Sequence, residues 1–263
     1  MKKIISLFIF IFSFTFISSA QDLNLYQKKL FIHENDTLPY RILYPIDFKE
    51  GVKYPVIIFL HGSGEKGNDN EAQLSHGADV LLKDDYRKRF PCIVIFPQCP
   101  ESTNWSYYKE IEDTIKESSE FYFSFQNKAT MPEQLTKLLA DSLIQTGEAD
   151  KKRIYLGGLS LGGFGTYDML MLFPKYFAAG FPMCGACDVN SFVQRSRKIP
   201  LWIFHGAKDD VVNPAIDREL FKVLTDAGIK KSKYTEYPEA NHNCWDRAFA
   251  EPDLLPWLFS KHR

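Results

Sequence analysis

The sequence has little net charge: 32 Lys and Arg stand against 33 Asp and Glu in 263 residues, a formal balance of −1. Nucleic-acid binding, which asks for a basic patch, has no support in that balance. No internal repeat or composition shift divides the chain, so a single large domain is expected. A second C-x-x-C or a paired-histidine spacing is also missing. Cys92 and Cys99 flank one apolar run, Cys184 and Cys187 form the lone C-x-x-C, and Cys244 stands apart. That pattern does not supply a zinc ligand set. Five cysteines leave two alternatives open, one or two disulfides or buried thiols. The apolar stretch 4–17 is only 14 residues, short for a bilayer span. With Lys2 and Lys3 before it and Ser18-Ser19-Ala20 after it, it reads as a secretory signal cleaved after Ala20. The expected division is therefore a signal peptide at 1–20 and one domain at 21–263, with no stable membrane anchor after cleavage. Loss of the two lysines leaves 30 basic residues against 33 acidic ones, or −3.

What the chain does have is a glycine-dense stretch, RIYLGGLSLGGFG at 153–165. The apolar run 154–156 reads as a strand, and helix-forming residues follow at 164–173. Between them Gly158-Leu159-Ser160-Leu161-Gly162 fits G-x-S-x-G, the nucleophile-elbow pattern. A serine hydroxyl is a poor nucleophile until a base takes its proton, so it must stand clear of the sheet on a tight turn. Glycines two residues to either side of Ser160 remove β-carbons where strand, turn and helix crowd together. The Leu161 N–H, at the helix start, points at developing negative charge. The competing reading is a glycine-rich turn with an idle serine, and the rest of the chain decides.

Short β-type runs at 30–33 and 39–44 around Asn35-Asp36 suggest an edge hairpin, with His33 as a strand residue. The continuous apolar runs 56–60 and 92–96 read as strands covered on both faces. After the first, Gly62-Ser63-Gly64-Glu65-Lys66-Gly67 satisfies G-x-G-x-x-G. A dinucleotide site would need a helix packed on the third glycine, whereas Asn68-Asp69-Asn70 looks like a loop and cap, with a helix expected over 71–83. The better reading is an oxyanion loop in which the Ser63 N–H joins the Leu161 N–H. His76, on the expected helix, is a solvated or supporting residue. Residues 97–131 show no strand but many aromatics, the pattern of a lid-like insertion. A helix at 132–147 follows, with Pro132 in its first turn and Gly147 at its end. Apolar runs at 177–183, 201–204 and 233–237 then alternate with helix signals, which implies βαβ crossovers and a mostly parallel sheet whose working edge lies at the strands' carboxyl ends.

The run 201–204 leads into His205-Gly206-Ala207-Lys208-Asp209-Asp210, so two carboxylates sit where an acid should follow the serine. Either could instead cap the helix starting near Pro214. The loop 239–243 then supplies His242. His61 and His205 stand just before glycines at strand ends and read as turn residues, and His262 lies in the tail. That leaves His242 to take the Ser160 proton, with an aspartate fixing its orientation.

The motifs HGSGEKG, PQCP, DKKRIYLGGLSLGGFGTYDM, FPKYFAAGFPMCG, HGAKDDVV and NHNCWDRAF resemble the phospholipase/carboxylesterase and dienelactone-hydrolase branch of the α/β-hydrolase superfamily. They are most similar to secreted bacterial proteins described as predicted peptidases or feruloyl-esterase-like esterases. The resemblance runs from about Tyr54 to Trp257. It implies a single α/β-hydrolase domain with a mostly parallel central sheet, helices on both faces, and the lid-like insertion after the strand at 92–96. It places the acid at Asp209, four residues after the histidine of HG-x-x-D-x-x-V, the base at His242 and the oxyanion amides at Ser63 and Leu161. Asn241 departs from the glycine usual before the base. The implied activity is an exported serine esterase acting through an acyl-enzyme on a small-molecule or carbohydrate-linked ester, with no metal or cofactor. Trp105 and Trp245 are the candidate pocket residues. A serine peptidase of short peptides and a non-catalytic carbohydrate-binding protein on the same fold are the alternatives, and the oligomeric state stays open.

Overall fold

The computed structural model describes residues 22–113 and 118–263; the expected signal at 1–20 lies outside the described residues. β1 (Gln27–His33) and β2 (Asp36–Leu43) pair as an antiparallel hairpin that turns through Glu34 at positive φ. β3 (Tyr54–Leu60) is buried along its whole length. Its apolar run is unbroken because neither face of the strand meets solvent. Val56, Ile58 and Leu60 enter one core, while Ile57 and Phe59 enter the other.

The single helix expected over 71–83 does not form. A 3-10 turn at Ala72–Leu74 is followed by two short helices, α1 (Ala78–Leu81) and α2 (Asp84–Arg89). Gly77 interrupts the run at φ +78, and a side chain there would strike the ring of Phe249. The left-handed backbone at this point stops a helix from passing through. His76 therefore lies in a turn, its Nε2 3.6 Å from Glu65 and its ring 5.1 Å from that of Trp245.

The buried β4 (Ile93–Pro97) leads into the insertion, which carries a small antiparallel sheet of β5 (Lys109–Asp113) and β6 (Ser118–Tyr122). No strand was legible there, because KEIED and SSEFY are too charged and polar to read as apolar β-type runs. The insertion is fastened by rings: Tyr108, Phe121 and Phe123 lie against Phe164 at centroid distances of 5.5, 5.5 and 4.8 Å. α3 (Met131–Gln145) opens on a capping box. Thr130 and Glu133 satisfy each other's backbone N–H groups, and Pro132 sits in the first turn.

The alternation then runs β7 (Ala149–Leu159), α4 (Leu161–Leu172), β8 (Ala179–Met183), α5 (Val189–Ser196), β9 (Trp202–Gly206), α6 (Ala215–Asp226), β10 (Lys233–Tyr237), α7 (Trp245–Phe249) and α8 (Leu254–Phe259). The main sheet has the order β1-β2-β4-β3-β7-β8-β9-β10. It is antiparallel only through β1 and β2 and parallel from β4 to β10. Leu139 of α3, Phe164 of α4, Phe192 of α5 and Leu220 of α6 fill the core on one face. Leu81 of α1, Phe249 of α7 and Leu258 of α8 fill the other. This is the α/β-hydrolase architecture expected from the motifs. Among the described residues no helix is long and apolar enough to cross a membrane.

Candidate active site

Ser160 stands between β7 and α4 at φ 52, ψ −118. Such backbone is strained for a residue with a side chain and persists only where its surroundings hold it. Here the Ser160 N–H donates to the Met183 carbonyl at 2.9 Å, and its own carbonyl accepts the first bond of α4, from Phe164 N–H at 3.0 Å. The glycines on either side are required by contact. A β-carbon on Gly158 would press into Leu60 O and the Gly162 carbonyl, and one on Gly162 would collide with the Leu60 and His61 carbonyls. The end of β3 thus runs hard against the elbow, and only hydrogen atoms fit between them.

His242 reaches Ser160 from the loop after β10. Its Nε2 accepts from the Ser160 hydroxyl at 2.9 Å, and its Nδ1–H donates to Asp209 Oδ2 at 2.8 Å. The Asp209 carboxylate is buried and fully engaged. Oδ1 accepts the N–H groups of Val211 and Val212 at 2.9 and 2.8 Å, and Oδ2 is also 3.2 Å from His205 Nε2. Burial by itself raises a carboxyl group's pKa. Hydrogen bonds from His205, His242 and the Val212 N–H outweigh it and hold Asp209 well below the ordinary range. Asp210 is exposed. Its backbone N–H donates to Asn241 Oδ1, which also accepts from His242 N–H at 2.7 Å. Asn241 therefore braces the loop that carries His242 with its side chain at the position where the resemblance led one to expect glycine.

Ser63 follows β3 after His61 and Gly62, at the start of a 3-10 turn at Ser63–Glu65. A β-carbon on its neighbour Gly62 would lie 3.7 Å from that of Ser160, so this loop flanks the serine. Leu161 is the first residue of α4, where an N–H has no acceptor within the helix. His61 has a definite structural part: its Nε2 accepts Cys99 N–H at 2.9 Å and its Nδ1 meets Gly62 O at 2.6 Å. Burial lowers its pKa to about 4, so the neutral ring ties the Ser63 loop to the strap after β4. Cys184, Asp209 and His242 offer metal-type atoms within 4.8 Å of one another. These groups are already engaged, the Cys184 thiol with the His242 carbonyl at 2.8 Å. All five cysteines are free thiols.

Two sequence expectations change. Trp105 does not line a pocket: it is wholly buried, packs over Gly165 and donates its Nε1–H to the His61 carbonyl at 3.1 Å. It is a pillar beneath the site, because a large ring with one donor is most stable where both its area and its N–H are satisfied. Trp245, by contrast, is half-buried with its ring edge-to-face against His242 at 5.6 Å. His205 is not a turn residue either. It is fully buried in β9 and bonded to Asp209 and Asp217, a link the sequence hid because Asp217 lies in the following helix.

Among known proteins, residues 46–251 match the family described as Phospholipase/Carboxylesterase. The chain belongs to the phospholipase/carboxylesterase family. Within reach of this family member is lysophospholipase-like protein 1 of Mus musculus, 26% identical over 201 residues, or 71% of this chain and 79% of that one. A bifunctional acetylxylan esterase/xylanase, XynS20E of Neocallimastix patriciarum, is 31% identical over 86 residues, 33% of this chain and 13% of that protein. A solved thermostable esterase superposes with a TM-score of 0.80 at 34% identity, covering 92% of this chain and 64% of that one. The feruloyl esterase module of Clostridium thermocellum, solved with sinapinate, shares the fold at a TM-score of 0.62 and 17% identity, covering 91% and 92%. The chain spans less than two thirds of the thermostable esterase and a small part of the bifunctional enzyme.

Proposed function

We propose that this family member is a serine hydrolase that cleaves carboxylic esters through an acyl-enzyme. The observation that carries the reading is the unbroken line Ser160 Oγ, His242 and Asp209, with bonds of 2.9 and 2.8 Å. His242 takes the hydroxyl proton as Ser160 attacks the ester carbonyl, and Asp209 holds the ring in the tautomer that leaves Nε2 free to accept. The N–H groups of Ser63 and Leu161 stabilise the tetrahedral oxyanion. His242 then hands its proton to the departing alcohol, and water repeats the sequence to release the acid. An ester is favoured over a peptide, because an amine leaves only when protonated in the same step. Kinship with the esterase at 34% identity supports this preference.

The proposed substrate class is an acylated carbohydrate met outside the cytoplasm. Its support is the leader-type pattern at residues 1–20, the acetylxylan esterase relative and the exposed Tyr107 and Tyr122 of the insertion. Ser160→Ala is expected to abolish hydrolysis of p-nitrophenyl acetate and labelling by a fluorophosphonate. A folded Ser160→Ala protein that still takes the label would refute the mechanism. Acetyl, feruloyl, short-chain and long-chain esters, run beside aminoacyl-anilides, separate the esterase from the peptidase reading.

A further inference from the structure

We propose that His205 is a standing imidazolium, a positioning residue that holds the Asp209 carboxylate against His242 from behind. The argument begins with its neighbours. Nδ1 lies 2.7 Å from Asp217 Oδ2, and Nε2 lies 3.2 Å from Asp209 Oδ2 and 3.0 Å from the Val212 carbonyl. Each of these atoms can only accept, so each ring nitrogen carries a hydrogen and the ring carries a positive charge. The side chain is fully buried, where a lone charge would be expelled, but two carboxylates compensate it. Burial pulls the pKa of His205 down; the hydrogen bonds to Asp209 and Asp217 override this and raise it to about 10.

The network extends further. Tyr167 O–H donates to Asp217 Oδ1 at 2.5 Å, so a continuous line runs Tyr167, Asp217, His205, Asp209, His242, Ser160. Both its ends belong to the elbow helix: Ser160 caps α4 and Tyr167 lies within it. Asp209 cannot rotate away from His242 without breaking a buried ion pair. Besides Asp209 in its own loop, the groups facing His205 are Asp217 from α6, Cys184 from the end of β8 and Glu236 from the neighbouring β10. Tyr167 of α4 and Tyr234 of β10 act on it through Asp217.

The inference rests on the roles given above to Ser160, His242 and Asp209, but its first test does not use activity. In protein labelled with 15N-histidine, His205 is assigned by its absence from the His205→Gln spectrum. It should show the imidazolium pattern, both nitrogens protonated, at pH 8. A neutral-imidazole pattern at that pH overturns the proposal even if the esterase reading stands. Conversely, a wild type without ester hydrolysis leaves this charge result intact and sinks the functional reading alone. In folded His205→Gln, kcat should fall by about tenfold to a hundredfold with KM within roughly twofold, as for a displaced catalytic group. Folded His205→Gln with kcat within about twofold of wild type would overturn the positioning role. Should His205→Gln fail to fold, Asp217→Asn serves: the imidazole resonances most shifted by it assign His205, the amide oxygen still accepts from Nδ1, and His205 should lose its imidazolium signal at a lower pH than in wild type. An unchanged titration there overturns the ion-pair argument.

Discussion

Replacing Asp209 by Asn changes one oxygen to an NH2 group and leaves volume and burial nearly untouched. The carboxylate receives four hydrogens: from Val211 and Val212 on Oδ1, and from His242 and His205 on Oδ2. An amide has only one acceptor. If its oxygen keeps the His242 side, its NH2 faces the two valine N–H groups, donor against donor. If it turns, the NH2 faces His242 Nδ1 and drives the ring into the tautomer that carries its hydrogen on Nε2, where Ser160 can no longer lose its proton. Either orientation leaves buried donors opposed, at about 1–3 kcal/mol for each lost partner. The second also removes the base. The expected outcome is a fall in kcat of roughly 10³–10⁴, about 4–5.5 kcal/mol of activation free energy, with KM little changed. Asp210→Asn, altering an exposed side chain, should stay within about twofold of wild type. The assay is p-nitrophenyl acetate hydrolysis at saturating substrate, with circular dichroism to confirm folding. Folded Asp209→Asn within tenfold of wild type, or equal losses at both positions, refutes the reasoning.

Trp105→Phe removes the Nε1–H that meets the buried His61 carbonyl; stability should drop by about 1–3 kcal/mol, and a calorimetric Tm equal to wild type would contradict the pillar role. Stability should also depend on pH through His205. Its folded pKa, about 10, lies above the ordinary value near 6.5, so its contribution is complete below about pH 6.5 and is lost as pH rises toward 10. Within that window urea titrations of wild type, compared with His205→Gln, should show an extra decline of up to about 1.4 kcal/mol per pH unit; parallel curves would count against it. Cys99, Cys184, Cys187 and Cys244 are buried, and burial pushes the Cys99 thiol up to about 12. Iodoacetamide at pH 8 should therefore modify at most one thiol in the native protein and five after unfolding, as read by intact mass.

The parts legible in the sequence were those built from short-range rules. Val56 to Leu60 spelled a doubly covered strand, Pro132 to Gly147 a helix with its start and stop, and Gly158 to Gly162 an elbow, because backbone sterics and apolar periodicity act over a few residues. Where one glycine overruled the pattern, as Gly77 did against Phe249, the reading failed, since the obstructing ring arrives from the far end of the chain. The strand pair Lys109–Asp113 and Ser118–Tyr122 was missed for a related reason: the strands are held by each other and by the rings packed on Phe164, with no apolar run of their own.

By itself the sequence determined the alternation that makes a parallel α/β sheet, the turn that lifts Ser160 and the chain order of Ser160, the two aspartates and His242. Between Asp209 and Asp210 composition could not choose, and spacing chose only by resemblance. Tertiary structure set the two apart, burying Asp209 between two imidazoles and leaving Asp210 in water. It also made a pillar of Trp105 and set His205 between Asp209 and Asp217. Hydrogen bonds and burial join residues through space, and no local pattern records that Tyr167, Asp217 and His205 end in one line with Ser160.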